Sequence, residues 1–289
     1  MKILRIYKNL DKYIKPNKVL VIYGPRQVGK TTLLKDFLVT SKWKYRLDTG
    51  DNIKLHELFK SQDFNSLKEY AYGKELIIID EAQRIPGIGQ GLKILTDQVE
   101  NLRLIATGSS SFELAGQIGE PLTGRKTSLI LYPISQIELQ SIYNSYELKE
   151  KLNEWLIFGS YPEIITAKNK QEKIRLLEEL TQSYLFKDIL ELEKIKNSKI
   201  LLDLLRLIAF QLGQEVSLTE LATQLGIDYK TVGRYLDLLE KTFVIYNLRG
   251  FSRNLRKEIT KKSKFYFYDN GIRNTIISNF NEPALRNDL

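Results

Sequence analysis

The sequence of 289 residues contains no cysteine and a single histidine. Without cysteine the chain can form no disulfide, zinc ribbon, iron–sulfur cluster or thiol nucleophile. The one histidine, His56, leaves little scope for histidine-based acid–base or metal chemistry. No apolar run approaches the roughly 20 residues that a membrane-spanning helix needs. The charged N-terminus lacks the apolar core of a secretory signal peptide, so we expect a cytoplasmic protein without a membrane partner.

Glycine and proline are also sparse, with 17 and 7 residues, while 43% of the chain is hydrophobic and 27% is charged. This composition is typical of a soluble globular protein and argues against a disordered or fibrous one. At roughly 150 residues per domain, the length predicts about two domains. The 44 basic residues outnumber the 35 acidic ones, giving a net charge of +9. This positive charge favours an anionic partner such as a nucleotide, a nucleic acid or an acidic membrane surface. The alternative is that the charge serves solubility alone.

Short β-branched runs alternate with helical patterns over the first half of the sequence. They predict strands at residues 18–23, 43–47, 76–79, 102–107 and 127–132. The third of these runs, LIII, shows no polar alternation, which is typical of a strand covered on both faces. We therefore expect an α/β fold with a three-layer core around a five-stranded parallel sheet. After residue 133 the patterns become mainly helical.

The segment GPRQVGKT fits the pattern G-x4-G-K-[ST] of a phosphate-binding loop. It follows a predicted strand and opens a predicted helix, where backbone N–H groups and the helix N-terminus attract phosphate. In such a loop Lys30 reaches the β- and γ-phosphates and the Thr31 hydroxyl binds Mg²⁺. The alternative is a glycine turn with an incidental lysine. The predicted nucleotide contacts are Gly24, Pro25, Arg26, Gln27, Val28, Gly29, Lys30, Thr31 and Thr32.

Two carboxylates, Asp80 and Glu81, directly follow the LIII strand. Ligands of open α/β sheets bind at the carboxyl ends of the strands, so both side chains are expected near the phosphate loop. Asp80 suits a Mg²⁺ ligand, bound either directly or through a water molecule, and Glu81 suits the base that orients or polarises an attacking water. Acidic residues often simply end a strand, and only their place after a phosphate loop makes this pair a strong signal.

Two further polar features lie near the ends of predicted strands. The fourth strand ends in residues 107–111 (TGSSS), whose hydroxyls either cap the next helix or face the nucleotide. Arg125 stands just before the fifth strand. A lone arginine is usually a surface residue, but this position suggests a role in the site.

The stretches GPRQVGKTTLL, LIIIDEAQRI, ATGSSS and LTGRK, in this order, resemble the archaeal and bacterial AAA-type P-loop ATPases that carry an appended C-terminal domain of unknown function. The resemblance continues through GSYPEI, YLFKDI, TVGRYLDLLEKTFVIYNL and KFYFYDNGIRN. It implies ATP rather than GTP as the nucleotide, and Ser109 or a neighbour as the sensor of the γ-phosphate. It also implies that Arg125 completes an active site, either in its own chain or in a neighbouring copy of a homo-oligomer. Relatives commonly continue into a nuclease-like module, so we expect a fragment or a short form without nuclease chemistry.

The last quarter of the sequence predicts two short helices followed by two strands. A capping box at Ser217, a helix-ending Gly226 and a capping Asp228 mark the helices. Strand-like runs at residues 243–248 and 265–268 follow, so the segment looks like a winged helix-turn-helix.

A basic stretch separates these two predicted strands. Residues 249–264 contain seven basic residues and one acidic residue, which is the electrostatic pattern of nucleic-acid binding. We expect double-stranded DNA as the partner, against the alternative of a protein-contact module with a solvated charge run. The predicted DNA contacts are Lys230, Arg234, Arg256, Lys257, Lys261 and Lys262.

These observations predict a P-loop ATPase core over residues 1–133, a helical lid over 134–212 and a winged helix over 213–289. The predicted function is Mg²⁺-dependent ATP hydrolysis that drives a rearrangement of the C-terminal domain. The alternative is a nucleotide-gated switch that holds ATP with little turnover.

Overall fold

The computed structural model describes residues 3–109, 118–119, 121–185, 198–250 and 263–286. Its contacts separate into two units, one comprising Leu4–Tyr132 and the other Pro133–Leu289 with Met1–Ile3. The division into three domains stays a prediction.

The first unit is built on a sheet of five parallel strands in the order β2-β3-β4-β1-β5. The strands are β1 Lys18–Tyr23, β2 Tyr45–Thr49, β3 Leu76–Asp80, β4 Arg103–Gly108 and β5 Lys126–Ile130. The α/β class and the five-stranded parallel sheet are thereby confirmed. The β2 strand starts later than predicted, because Trp43 packs against the Phe37 ring and the Arg103 guanidinium instead of entering the sheet.

Hydrophobic side chains on both faces of the central strands form the core of this unit. Residues 19–22 of β1 and 76–79 of β3 are at most 1% exposed, as expected for a parallel sheet covered on both sides. The helices between the strands are α1 Lys30–Thr40, α2 Ile53–Ser61, α3 Phe64–Ala71 and α4 Ile88–Gln98. Phe59 of α2 and Leu92 of α4 belong to one core cluster with Val21 of the sheet.

The register brings the carboxyl ends of the strands to one edge of the sheet. Tyr23 pairs with Gly108 of β4 and with Ile130 of β5, and Thr49 pairs with Asp80. The loops that follow these residues therefore meet at the edge where open α/β sheets bind ligands.

The second unit is mainly helical and carries a small antiparallel sheet. Its helices are α5 Gln136–Leu139, α6 Ser145–Glu150, α7 Leu152–Phe158, α8 Pro162–Thr166, α9 Lys170–Glu179, α10 Ser198–Phe210, α11 Leu218–Leu225, α12 Tyr229–Lys241 and α13 Asn270–Ile276. Its strands are β6 Glu215–Val216, β7 Ile245–Leu248 and β8 Ser263–Phe267, in the order β6-β8-β7. Over the part of the chain that the structure describes, no helix is both long enough and apolar enough to cross a membrane.

The predicted cap residues of α11 and α12 are in place, and of the capping box predicted at Ser217 the structure records the bond that Ser217 accepts. Ser217 Oγ accepts a hydrogen bond from Glu220 N at 3.4 Å, and Asp228 Oδ1 accepts one from Lys230 N at 2.9 Å. Gly226 ends α11 in the left-handed conformation. These caps satisfy backbone groups that the helices themselves leave without partners, so they fix where both helices begin and where α11 ends.

A buried carboxylate joins two distant stretches of the second unit. Asp269 caps α13 by accepting a hydrogen bond from Ile272 N at 3.2 Å, and it accepts another from Ser160 N at 2.7 Å. Gly159 permits this approach, since a Cβ there would lie 2.0 Å from Asp269 Oδ1. Burial raises the pKa of Asp269 to about 6, although its hydrogen bonds act in the opposite direction. Burial, together with the Asp269 charge, also raises the pKa of the Tyr161 phenol.

Two side chains of α13 donate hydrogen bonds to backbone carbonyl groups near the ends of other helices. Arg273 is 2% exposed and donates from Nη2 to Ala209 O at 2.7 Å, near the end of α10. Asn274 Nδ2 donates to Leu156 O at 3.0 Å and to Ile157 O at 2.7 Å, near the end of α7. The last carbonyl groups of a helix have no partner within it, so α13 supplies donors that water would otherwise provide.

Asp269→Asn should make the stability of the chain less dependent on pH. Because the native pKa of about 6 lies above the ordinary value of 3.8, the folded state holds the Asp269 proton more tightly than the unfolded state does. The resulting stabilisation is complete below about pH 4 and is lost as the pH rises through about 6. Between about pH 4.5 and about pH 7.5, the free energy of unfolding of the wild type should fall by about 2 kcal/mol more than that of the variant.

Urea unfolding followed by circular dichroism across this pH range measures the difference. Asp237→Asn is the matched control, because Asp237 lies in the same unit with a side chain that is 58% exposed. Equal pH dependence in the wild type and Asp269→Asn would contradict the assignment.

Candidate functional site

The loop between β1 and α1 is closed against the chain that follows β5. Gly24 has a φ of +147°, and a Cβ at this position would lie 2.1 Å from Leu131 O, so no side chain fits there. Leu131 N in turn donates to Tyr23 O at 2.8 Å. Helix α1 begins at Lys30, directly after Gly29, and its first N–H groups have no partner within the helix. This is the backbone arrangement of an anion site at a helix N-terminus.

Lys30 supplies a cation to this loop. The residue is 5% exposed, and Nζ donates to Gly24 O at 3.0 Å and to Pro25 O at 2.9 Å. The other predicted contacts differ in exposure: Val28 is fully buried, Arg26 is half-buried, and Gln27, Thr31 and Thr32 are exposed. The buried Val28 can therefore offer a nucleotide only its backbone.

A chain of hydrogen bonds connects α1 to the two carboxylates. Thr31 Oγ1 donates to Asp80 Oδ2 at 2.6 Å, which joins the first turn of α1 to the end of β3. Thr107 Oγ1, on β4, donates to the other oxygen of the same carboxylate. Thr107 Oγ1 also accepts a hydrogen bond from Glu81 N at 3.1 Å. One hydroxyl thus fixes both the Asp80 side chain and the Glu81 backbone.

Glu81 has an unusual backbone conformation and a held side chain. Its φ of +52° lies in the left-handed region, which residues with a side chain rarely adopt outside tightly constrained sites. Gln83 Nε2, on the short 3-10 turn Ala82–Arg84, donates to Glu81 Oε2 at 2.6 Å. The Glu81 carboxylate is therefore oriented by a neighbouring amide at the same edge as the phosphate loop.

The donor set fits a hydrated Mg²⁺. A hydroxyl and a carboxylate, Thr31 Oγ1 and Asp80 Oδ2, lie side by side, and Mg²⁺ prefers hard oxygen ligands of this kind. In the described ranges, no group of three or more His, Cys, Asp and Glu side chains could hold a metal ion by itself. A Mg²⁺ bound by Thr31 and Asp80 would therefore complete its shell with phosphate oxygens and water, as is usual in nucleotide sites.

Ser109 lies at the same edge, directly after β4, and is 1% exposed. Thr107, two residues earlier on the strand, donates a hydrogen bond to Asp80. The other serines of the TGSSS segment, residues 110 and 111, lie outside the described residues. The sensor role of Ser109 stays a prediction.

Arg125 lies at the other end of the parallel strands, near their amino ends. It directly precedes β5, and its carbonyl accepts a hydrogen bond from Val19 N at 2.9 Å, near the start of β1. At about 3.3 Å per residue, the length of β5 separates Arg125 by about 15 Å from the carboxyl ends of the strands, where the phosphate loop lies. Its guanidinium pairs with Asp97 at 2.6 Å, and this hydrogen bond raises the pKa of Arg125. Within one chain the structure does not bring Arg125 to the phosphate loop.

The predicted DNA contacts are described only in part. Lys230 and Arg234 are exposed on α12. The remaining four predicted contacts, Arg256, Lys257, Lys261 and Lys262, lie outside the described residues.

The sequence did not single out three of the residues that the structure places at the site. Thr107 was one of several hydroxyls in a row, and Gln83 is a common side chain two residues after Glu81. Arg5 lies in the segment before β1, and its guanidinium donates to Val28 O and to Tyr132 O, both at 2.5 Å. Only the folded chain brings Arg5 to the phosphate loop.

Two family models match the chain. Residues 16–140 match the AAA domain, and residues 149–283 match a domain of unknown function. A Walker-type ATPase of Pyrococcus abyssi has a similar fold, with a TM-score of 0.57 at 17% sequence identity, covering 94% of this chain and 93% of that one. The chain thus contains a segment that matches an AAA domain, and its fold resembles that of a Walker-type ATPase.

The curated relatives are longer proteins whose own function is not characterised. An uncharacterized protein of Haemophilus influenzae is 25% identical over 280 residues, which are 88% of this chain and 68% of that protein. One of Methanocaldococcus jannaschii is 27% identical and covers 91% of this chain and 63% of its own length. An uncharacterized protein of Mycobacterium tuberculosis is 28% identical over 260 residues, which are 90% of this chain and 56% of that protein. The chain thus spans between 56% and 68% of these relatives.

Proposed function

We propose that the first unit binds ATP with Mg²⁺ and hydrolyses the bond to the γ-phosphate. The observation that carries the proposal is the hydrogen bond of 2.6 Å between Thr31 and Asp80. It joins the end of the phosphate loop to the strand that leads into the second carboxylate, Glu81. The match of residues 16–140 to the AAA domain supports the same activity.

Each group at this edge has a distinct task in the proposed reaction. The N–H groups at the start of α1 and the Lys30 ammonium hold the β- and γ-phosphates. Thr31 and Asp80 would hold Mg²⁺, and the bound ion would draw negative charge away from the phosphate oxygens. Glu81 accepts a proton from the water whose oxygen attacks the γ-phosphorus, while the bond to the β-phosphate oxygen breaks and ADP leaves. Gln83 fixes one oxygen of the Glu81 carboxylate during this transfer.

The alternative function is a switch that holds ATP with little hydrolysis. Phosphate and metal binding would need only the loop, Thr31 and Asp80. Glu81 has a left-handed backbone, its N–H is bound by Thr107 and its carboxylate by Gln83. Strain of this kind persists where the surrounding structure fixes a functional group, so these contacts favour hydrolysis.

Lys30→Ala should abolish nucleotide binding, whereas Glu81→Gln should keep the affinity for ATP and lose turnover about 100-fold or more. The first change removes the charge in the phosphate loop, and the second touches only the activation of water. Titration calorimetry with Mg-ATP and assays of phosphate release measure the two effects. Lys35→Ala, an exposed lysine on the same helix, serves as the control. Equal loss of affinity in the Lys30 and Glu81 variants would overturn this division of roles.

We further propose that Ser109 senses the γ-phosphate and that Arg125 acts on the site of a neighbouring copy. Ser109 is supported by its place directly after β4 at the loop edge. For Arg125, the distance of about 15 Å along β5 argues against a role in its own chain. In the proposed homo-oligomer, Arg125 of one copy would therefore lie next to the phosphate loop of a neighbouring copy.

Mixing two inactive variants tests this arrangement. Arg125→Ala should retain ATP binding and lose about 1,000-fold in turnover, as when an arginine finger is removed. A mixture of Arg125→Ala with Lys30→Ala chains should regain activity, because an intact loop then meets an intact arginine at some interfaces. A mixture as inactive as its components would refute the role across copies.

We infer that the end of the second unit is a winged helix that binds double-stranded DNA. The elements α10, β6, α11, α12, β7 and β8 follow in the order helix, strand, helix, helix, strand, strand. The three strands pair as a small antiparallel sheet. This order supports a winged helix-turn-helix, in which α12 would be the helix that enters the major groove.

The charges on α12 support DNA as the partner. Lys230 and Arg234 are exposed one turn apart, while Val232, Leu236 and Leu239 are buried. The basic stretch 249–264 follows in the sequence and carries seven of the chain's basic residues. A protein-contact module is the alternative, and ATP hydrolysis would then rearrange that contact instead of a DNA complex.

DNA binding of this kind should weaken steeply with salt. Each phosphate neutralised contributes about −0.9 to the slope of log affinity against log salt. Replacing Arg256, Lys257, Lys261 and Lys262 with Ala should flatten that slope for every duplex sequence, whereas Arg234→Ala should act selectively if its guanidinium reaches a base edge. Fluorescence anisotropy with labelled duplexes at several salt concentrations measures both.

A second quadruple variant controls for the change in net charge. Lys54, Lys60, Lys68 and Lys74 are exposed lysines of the first unit, so replacing them with Ala removes the same charge elsewhere. Equal effects of the two quadruple variants, or no binding at low salt, would leave the protein-contact alternative.

A further inference from the structure

Arg5 bridges three parts of the first unit. Its Nη1 donates to Val28 O at 2.5 Å, and its Nη2 donates to Tyr132 O at 2.5 Å. Nη1 also lies 3.8 Å from the point where a Cβ of Gly29 would be. One guanidinium therefore connects the segment before β1 to the phosphate loop and to Tyr132, the last residue of the first unit.

The carbonyl that Arg5 holds controls the direction of a phosphate-binding group. Val28 C=O and Gly29 N–H belong to one planar peptide group, in which the two bonds point in opposite directions. A hydrogen bond from Arg5 to the Val28 oxygen therefore fixes the direction of the Gly29 N–H. This N–H lies at the position that a phosphate-binding loop uses, directly before the first residue of α1.

The loop needs such support because its backbone is strained next to this peptide. Gln27 has a φ of +61°, in the left-handed region that residues with a side chain rarely adopt. A conformation of this kind persists only where neighbouring contacts hold it. The bond from Arg5 acts one residue later, at Val28.

We propose that Arg5 is a positioning residue of the nucleotide site. By tying the Val28 carbonyl to Tyr132, two residues after the end of β5, it orients the Gly29 N–H toward a bound phosphate and reduces the cost of ordering the loop. Its contribution is to nucleotide affinity, while the hydrolytic step is left to Glu81. This inference rests on the proposed ATP site.

The geometry requires a guanidinium and not merely a positive charge. Arginine presents several donors in a rigid plane, so it can bond two carbonyl groups at once in a fixed direction. A lysine at position 5 keeps the charge but is a compact point charge on a flexible stem. Arg5→Lys therefore separates the effect of the bridge from simple electrostatic attraction.

The test measures the affinity of the full chain for Mg-ADP by calorimetry, together with kcat at saturating ATP. Arg5→Ala and Arg5→Lys should each raise the Kd about tenfold or more, the effect of losing a hydrogen bond from a charged group. Both should keep kcat within about twofold, because no group that contacts the reacting atoms is changed. Lys8→Ala is the control, since Lys8 is an exposed cation in the same segment and should leave the Kd unchanged.

The outcomes separate this inference from the ATP proposal. If the wild type binds Mg-ADP and both Arg5 variants bind it equally well, Arg5 has no positioning role. A wild-type Kd in Arg5→Lys would show that charge alone matters and would overturn the bridge. A fall in kcat as large as the change in Kd would mean a general loss of structure and would also overturn it. Failure of the wild type itself to bind would overturn the ATP proposal and this one with it.

Discussion

The candidate site depends on one constraint, which is that the parallel strands of the first unit all end on the same side of the sheet. Thr31, Asp80 and Thr107 are far apart in sequence, and they meet because β4 lies between β1 and β3 in the sheet and all three strands run the same way. A one-residue slip of β3 against β4 would turn Asp80 and Thr107 to opposite faces, since side chains alternate along a strand. The buried apolar faces of these strands prevent such a slip. The same packing that stabilises the sheet therefore also sets the hydrogen bonds of the site.

The sequence predicted those parts of the fold that have a strong local pattern. β1 and β3 are uninterrupted apolar runs, and their predicted positions agree closely with the structure. β2 is an edge strand of alternating exposure, so its pattern could not separate Trp43, which packs outside the sheet, from the residues that pair. β6 has two residues and hence no periodicity to read. Its pairing with β8 depends on chain that follows almost 50 residues later.

The same distinction holds for the site. The phosphate loop and the Asp80–Glu81 pair follow from spacing, because their chemistry requires fixed residue types next to a strand end. The choice among the hydroxyls of residues 107–111 could not be made from spacing, since Thr107 lies among the last paired residues of β4 and Ser109 directly follows the strand. Arg5 and Tyr132 are 127 positions apart, and a contact of that range has no local signature. Asp269 and Ser160 are likewise 109 positions apart, so no local pattern predicts the hydrogen bond between them.

The hydroxyl of Thr107 has a single proton, and that proton is given to Asp80. Its oxygen meanwhile accepts from the Glu81 N–H. A hydroxyl engaged in this way has no proton left for a phosphate oxygen, so Thr107 could respond to the γ-phosphate only by releasing Asp80. The Thr107 hydroxyl can therefore either hold the Asp80 carboxylate or donate to the phosphate, but it cannot do both at once. While Thr31 and Thr107 both hold Asp80, any hydroxyl donor to the γ-phosphate from the end of β4 must be a different one, and Ser109 is the nearest in sequence.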